Sequence, residues 1–368
     1  MAYTGKQLTS TLGADGTLTN TIAETSFPDP AGRQVLVQMA AAPINPSDLG
    51  LLFASADTDG ATYSPGQVVA AMPEAMTRAS AARHGMAMPV GNEGAGTVVA
   101  AGEDPAAQAL VGKRVACVPG AAYATYALCD AGMCMPLPDD VSFAEGASSF
   151  VNPMTALGFV ETMRAGGFTG IVHAAAASNL GQMLVRICAE DGVPLVNIVR
   201  SQAQVDLLKG FGAEHVLDMT APDFMPRLID AIAETKAMIG FDPIGGGPLA
   251  GQILTAMNAA ASRGQAFSRY GSSAAKKVCI YGALDTGPTI LNRSFGLTWD
   301  LSGWLLTPFL AAAGADTIGR MRARVMAGLK TTFASHYKAT VALDDMLGAE
   351  VVRDYNARRT GEKYLVTM

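Results

Sequence analysis

Residues 171–200 read IVHAAAASNLGQMLVRICAEDGVPLVNIVR, and this stretch decides the fold class. An apolar run over 170–177 reaches a tight turn, Ser178-Asn179-Leu180-Gly181. A helix-like segment follows, and a second apolar run covers 194–199. Strand, turn, helix and strand within about thirty residues match the size of a nucleotide-binding βαβ crossover. The second strand ends in Arg200, and no acid stands at Arg200-Ser201-Gln202. An acid at that point would accept hydrogen bonds from a ribose 2′-OH, whereas Arg pairs with a 2′-phosphate. The stretch therefore implies a redox enzyme that uses NADPH.

The glycine pattern alone is weaker. G-x-G-x-x-G is absent, and Ala175, Ser178 and Gly181 stand in its place. Small residues there let a backbone approach a pyrophosphate at a helix N-terminus. The same spacing also fits an ordinary buried βα turn packed with alanines.

Outward from this unit the alternation continues. Strands are predicted over 170–174, 194–200, 215–218, 237–242 and 277–282. Helices are predicted over 180–191, 202–211, 221–235 and 249–261. Repeated βα units in this order imply a parallel, doubly wound sheet, with ligands beyond the carboxyl ends of its strands. Those ends carry 175–181, Arg200, Asp242-Pro243-Ile244-Gly245 and Tyr281-Gly282-Ala283.

Residues 1–150 read differently. Short apolar runs at 34–41, 96–101 and 114–118 suggest a small β barrel or sandwich. Between them, 54–88 reads as a long inserted loop with a helix-like centre over 73–84 and methionines at 72, 76, 86 and 88. Such an insertion is a lid or binding loop, or a surface loop that buries its own methionines. Strand character returns at 338–341, followed by a helix over 343–358 and a last strand over 363–367. This segment is expected to rejoin the first domain. The domains are thus 1–150, completed by 331–368, and 151–330.

Composition sets limits. The 368 residues are 49% hydrophobic and 16% charged, with 40 glycines, which suits a well-buried α/β enzyme and argues against disorder. A net charge of −6 without a basic block excludes a nucleic-acid footprint. The five cysteines lie in or beside apolar runs with no C-x-x-C pair, as expected of a reduced, cytoplasmic chain. The polar N-terminus does not read as a signal peptide. The greasy stretch 297–313 is too short and interrupted to span a bilayer.

Several motifs in order resemble the medium-chain dehydrogenase/reductase superfamily over nearly the whole chain. They are Ile44-Asn45-Pro46-Ser47-Asp48, Gly91-Asn92-Glu93-Gly94-Ala95-Gly96, Asn152-Pro153-Met154-Thr155-Ala156, Gly212-Ala213-Glu214-His215-Val216, Tyr281-Gly282 and Gly361-Glu362-Lys363. The resemblance implies an α/β chain with a GroES-like β-rich catalytic domain and a Rossmann doubly wound parallel sheet. Its subgroup resembles the zinc-independent quinone oxidoreductases and 2-enoyl thioester reductases. Zinc-dependent members carry Cys and His where this chain has Asn45 and Asn92, and neither Asn supplies the ligand that Zn²⁺ prefers. No metal is expected. Reduction of a polarised C=C by NADPH needs no Lewis acid, because hydrogen-bond donors can hold the enolate.

The resemblance also implies site residues. Asn45 and Asn152 are candidate donors near the nicotinamide, or else each ties down its own Asn-Pro turn. Thr155, Ser178, Asn179, Leu180, Gly181, Arg200, Tyr281, Gly282 and Lys363 are expected to bind the cofactor. The Tyr that donates a proton in related enoyl thioester reductases has no counterpart in 49–56. Tyr63 takes that role if the insertion folds back. The expected function is NADPH-dependent, metal-free reduction of an enone, an enoyl thioester or a quinone, with a small electrophilic substrate as partner. The alternatives are a zinc-free carbonyl reductase and an NADPH-binding sensor with vestigial catalysis. Neither nucleic acid nor a membrane is expected as a partner. A homodimer is expected through an edge strand in 297–306, with Trp299 and Trp304 at the interface.

Overall fold

The computed structural model describes residues 3–357, 359–360 and 363–368. It divides into two compact units: 1–151 with 324–368, and 152–323.

The first unit is β-rich. A five-stranded antiparallel sheet runs in the order Asp57–Ser64, Gln67–Ala71, Thr17–Phe27, Tyr3–Leu12, Met88–Pro89. Its first hairpin turns through Gly16, whose positive φ of 85° a side chain would strain. A seven-stranded sheet is built around Gln34–Pro43, which pairs with Gly94–Ala101, Tyr126–Asp130 and Tyr364–Thr367. The chain's last strand also lies parallel to Ala339–Ala342. Leu8, Leu12, Val35, Val37, Leu52, Phe53, Val352 and Val366 share one buried core.

The segment 54–88 corrects the expectation of a long loop. Asp57–Ser64 and Gln67–Ala71 form a hairpin that extends the first sheet by pairing with Thr17–Phe27. Val68 and Ala70 point into the core while Ala71 is exposed, the alternation of a half-buried strand. The helix Glu74–Ala79 and the turn Ala81–Arg83 follow. Met72 is buried, Met76 packs on the core, and only Met86 is well exposed. The helix expected over 343–358 is also shorter: a single turn, Leu343–Asp345, precedes Ala349–Asn356. Arg358, Gly361 and Glu362 lie outside the described residues.

The second unit is a six-stranded parallel sheet in the order His215–Asp218, Leu195–Val199, Ile171–Ala174, Ile239–Asp242, Lys277–Ile280, Asp300–Gly303. The strand order reverses direction between Ile171–Ala174 and Ile239–Asp242, and such switch points are where doubly wound sheets bind ligands. The central strands are buried throughout, as a sheet covered on both faces requires. The helices Asn179–Asp191, Gln202–Gly210, Phe224–Thr235 and Leu249–Ser262 connect them. Among the described residues no helix is long and apolar enough to cross a membrane.

Candidate active site

In the second unit the first strand ends at Ala174, and Ala175 takes a left-handed φ of 49° to start the turn. Ser178 caps the helix Asn179–Asp191: its Oγ accepts from the Gly181 N–H at 3.1 Å. A Cβ on Gly181 would stand 2.0 Å from the Ala176 carbonyl oxygen, so helix and turn meet too closely for any side chain there. Leu180 is buried in the helix's first turn, where its backbone faces the N-terminus. Arg200 is exposed just beyond Leu195–Val199, with its N–H on the Gln204 side chain at 3.1 Å. Its guanidinium has no ion-pair partner among the described residues. Ser201 caps the next helix by accepting from Gln204 N–H. These residues fit a phosphate-bearing dinucleotide: a small-residue turn, a helix N-terminus and an unspent guanidinium.

The other expected cofactor contacts in this unit are more committed to packing. The Tyr281 hydroxyl lies 2.8 Å from His173 Nε2, in a cluster with Phe159, Phe241 and Trp304. Burial lowers the His173 pKa to about 3, so the ring is neutral. Gly282 lies where a Cβ would meet the Pro243 carbonyl at 2.6 Å. Asp242 is buried, one oxygen accepting from Ile244 N–H and the other without a partner among the described residues, and burial pushes its pKa up. On the helix Val151–Ala165, Asn152 is half-buried and Thr155 buried.

The first unit assembles a second polar cluster. Asn45 is 1% exposed, and its side-chain amide donates to Glu93 Oε1 at 2.9 Å, not to its own Asn-Pro turn. Its Oδ1 has no partner among the described residues. Glu93, also 1% exposed, uses its other oxygen to accept from the N–H groups of Phe150 and Val151 at 2.8 and 2.9 Å. Asp48 accepts from the N–H groups of Asn45 and Asn92, both at 2.8 Å. Burial nonetheless raises its pKa to about 6. Lys363 donates to Ser148 Oγ at 2.7 Å; that hydroxyl is 2.9 Å from the Tyr337 hydroxyl, which donates to the Ala144 carbonyl. Burial lowers the Lys363 pKa to about 8, against the opposing charges of Glu93 and Asp48.

Asn45 and Lys363 thus share one cluster, whereas Tyr63 stays in the hairpin. Its hydroxyl donates to the Thr58 carbonyl at 2.7 Å, and its charged neighbours are Arg353, Asp59 and Asp57. No described contact brings it to Asn45, Glu93 or Lys363. Asp48, Glu93, Ser148 and Tyr337 escaped sequence reasoning as site residues. Glu93 had a signal: an acid set among small residues at the start of a buried strand. Among the described residues no group of three or more His, Cys, Asp or Glu is arranged to hold a metal ion.

The model of the alcohol dehydrogenase GroES-like domain matches residues 31–139. The mitochondrial enoyl-acyl-carrier-protein reductase of Xenopus tropicalis is 30% identical over 199 residues, 51% of this chain and 49% of that protein. The match therefore spans about half the length of that relative. A candidate NADPH:quinone reductase from Mesorhizobium loti superposes with a TM-score of 0.76 at 26% identity, covering 99% of this chain and 98% of its own. A mycobacterial protein solved in complex with NADPH superposes with a TM-score of 0.70 at 17% identity, covering 99% and 100%, a likeness of fold. The GroES-like module over 31–139, the switch in the parallel sheet and these relatives agree: the chain is similar to medium-chain dehydrogenases/reductases of the quinone oxidoreductase and enoyl reductase kind.

Proposed function

We propose that the protein is an NADPH-dependent reductase of activated double bonds or quinones that works without a metal. The observation that carries this reading is Arg200, whose guanidinium has no ion-pair partner among the described residues and stands at the strand end next to the capped Ser178–Gly181 turn. Ser178, Asn179, Leu180 and Gly181 would hold the pyrophosphate at the helix N-terminus, and Arg200 the 2′-phosphate. NADPH binding by the mycobacterial structural relative supports the same cofactor. When bound, that cofactor supplies a hydride.

The polar cluster of the first unit is suited to the charge that hydride addition leaves on a substrate. Asn45 and Asn92, in place of thiolate and imidazole, favour hydrogen bonding over zinc. The substrate class is an enone, an enoyl thioester or a quinone, each of which accepts hydride at a polarised carbon or oxygen.

Substitution Arg200→Ala tests the cofactor assignment. Loss of a charge-assisted contact is expected to weaken NADPH binding about 10- to 100-fold and leave NADH little changed. Titration of both nucleotides by fluorescence reads the difference, and equal effects on the two would remove the 2′-phosphate argument.

A further inference from the structure

Reduction of a C=C needs a proton as well as a hydride, and no described contact brings the Tyr63 hydroxyl, which donates to the Thr58 carbonyl, to the cluster of Asn45, Glu93 and Lys363. Lys363 has the geometry for it. One of its three N–H bonds goes to Ser148 Oγ at 2.7 Å. No other hydrogen-bond or ion-pair partner meets its Nζ among the described residues. The chain of donors continues through the Tyr337 hydroxyl to the Ala144 carbonyl, so both hydroxyls are fixed as an orienting strut. The Tyr337 ring lies 5.9 Å beneath the ammonium.

A purely structural lysine looks different in this same protein. Lys276 is buried and its Nζ holds the carbonyls of Ser272 and Ala274 at 3.0 and 2.9 Å. Lys363 is half-buried and leaves two N–H bonds unspent. It also shares its cluster with the carboxylates of Glu93 and Asp48, and Glu93 holds Asn45. Those carboxylates and Tyr337 are the titratable groups that face it.

We infer that Lys363 is the proton donor of the reaction, positioned by Ser148 and Tyr337. The inference rests on the reductase reading. Hydride addition to the β carbon of an enone forms a C–H bond and moves the π pair into an enolate. A Lys363 N–H bond then breaks as the α carbon–hydrogen bond forms, and the neutral amine regains a proton from water. At neutral pH an ammonium whose pKa lies near 8 is still mostly protonated, yet it is a stronger acid than an ordinary lysine.

The test uses the full chain, NADPH and 2-methylcyclohex-2-enone, whose α carbon becomes a stereocentre. The wild type is expected to give one α enantiomer, with turnover falling as pH rises through about 8. Lys363→Gln, and Lys363→Arg, which keeps the charge but cannot release the proton, are expected to lose about 100-fold in turnover. Both are also expected to give a racemic α centre and no limb near 8. Either variant making the same enantiomer at the wild-type rate would overturn the inference. Competitive acetylation with acetic anhydride, read by mass spectrometry on the cofactor-free wild type, gives a second measure independent of turnover. A labelling midpoint near 8, moving down in Glu93→Gln, is expected, and a midpoint above 10 would overturn the proposal. A wild type that reduces quinones but no enone would also overturn it while leaving the reductase reading intact. No NADPH oxidation with any acceptor would instead remove the reductase reading itself.

Discussion

Asp48 is 2% exposed, and the N–H groups of Asn45 and Asn92 only partly offset its desolvation. In the folded chain it keeps its proton up to about pH 6, whereas the free side chain releases it near 3.8. Folding therefore binds a proton between those values. The stabilisation from the protonated carboxyl is complete below about pH 4 and is lost as pH rises through 6. Relative to Asp48→Asn, the wild type is expected to lose up to about 1.4 kcal/mol per pH unit in that window. Urea unfolding of both proteins at pH 4, 5, 6 and 7 measures the difference; parallel curves would show that the carboxyl titrates normally. At this scale the second unit was readable from its residues. Ser178, Gly181 and Arg200 sit within one βαβ unit, so spacing alone brings them together. Asn45, Glu93, Ser148, Tyr337 and Lys363 come from five distant places in the chain, and no local pattern announces their meeting.

Among the elements, the hairpin Asp57–Ser64 and Gln67–Ala71 is the main departure from expectation. Its strands are rich in Ala, Gly, Asp and Thr, which carry little β signal, and its outer strand alternates only between half-buried and exposed positions. The first hairpin was hidden for a related reason. Ser10 and Asn20 are buried polar residues in otherwise strand-like runs, and the Ser10 hydroxyl and the Asn20 amide donate to the carbonyls of Leu51 and Leu52. Without those partners in view, the runs over 3–12 and 17–27 carry no clear apolar alternation. The parallel sheet was legible because its strands are short, fully apolar and evenly spaced between helices. If the hairpin is part of the core rather than a mobile flap, a charge on its inner face is costly. Val68→Asp is expected to destabilise the protein by about 3 kcal/mol or more, and Ala71→Asp by much less. Thermal unfolding of the pair decides it, and equal small losses would restore a detached loop.

For the whole molecule, the edge of the parallel sheet is the feature with the widest consequence. Asp300–Gly303 is the last strand, and its free side carries backbone groups that can pair with another strand. Leu297 and Leu305 flank it at 65% and 63% exposure, with Trp299 beside them. We propose a homodimer through this edge. Trp304, expected in the same interface, is instead turned inward: it meets Phe159 edge-on, lies tilted against Phe309 and donates to the Thr162 hydroxyl at 3.0 Å. Sedimentation at micromolar concentration is expected to give a dimer, and the double substitution Leu297→Asp with Leu305→Asp a monomer. A wild type that sediments as a monomer would refute the proposal.

The placement of the two tryptophans has a spectroscopic consequence. Both indoles of the chain, Trp299 and Trp304, belong to the unit built on the parallel sheet, and the β-rich unit has none. Intrinsic fluorescence excited at the red edge of indole absorption therefore follows one unit alone. Trp304, boxed by rings and hydrogen-bonded at its N–H, supplies a shielded emitter, and Trp299, edge-on to Phe295, a more solvent-accessible one. Circular dichroism follows both units. Loss of emission intensity that runs ahead of or behind the loss of ellipticity would thus resolve two melting steps in a protein that carries its own optical label for only one of them.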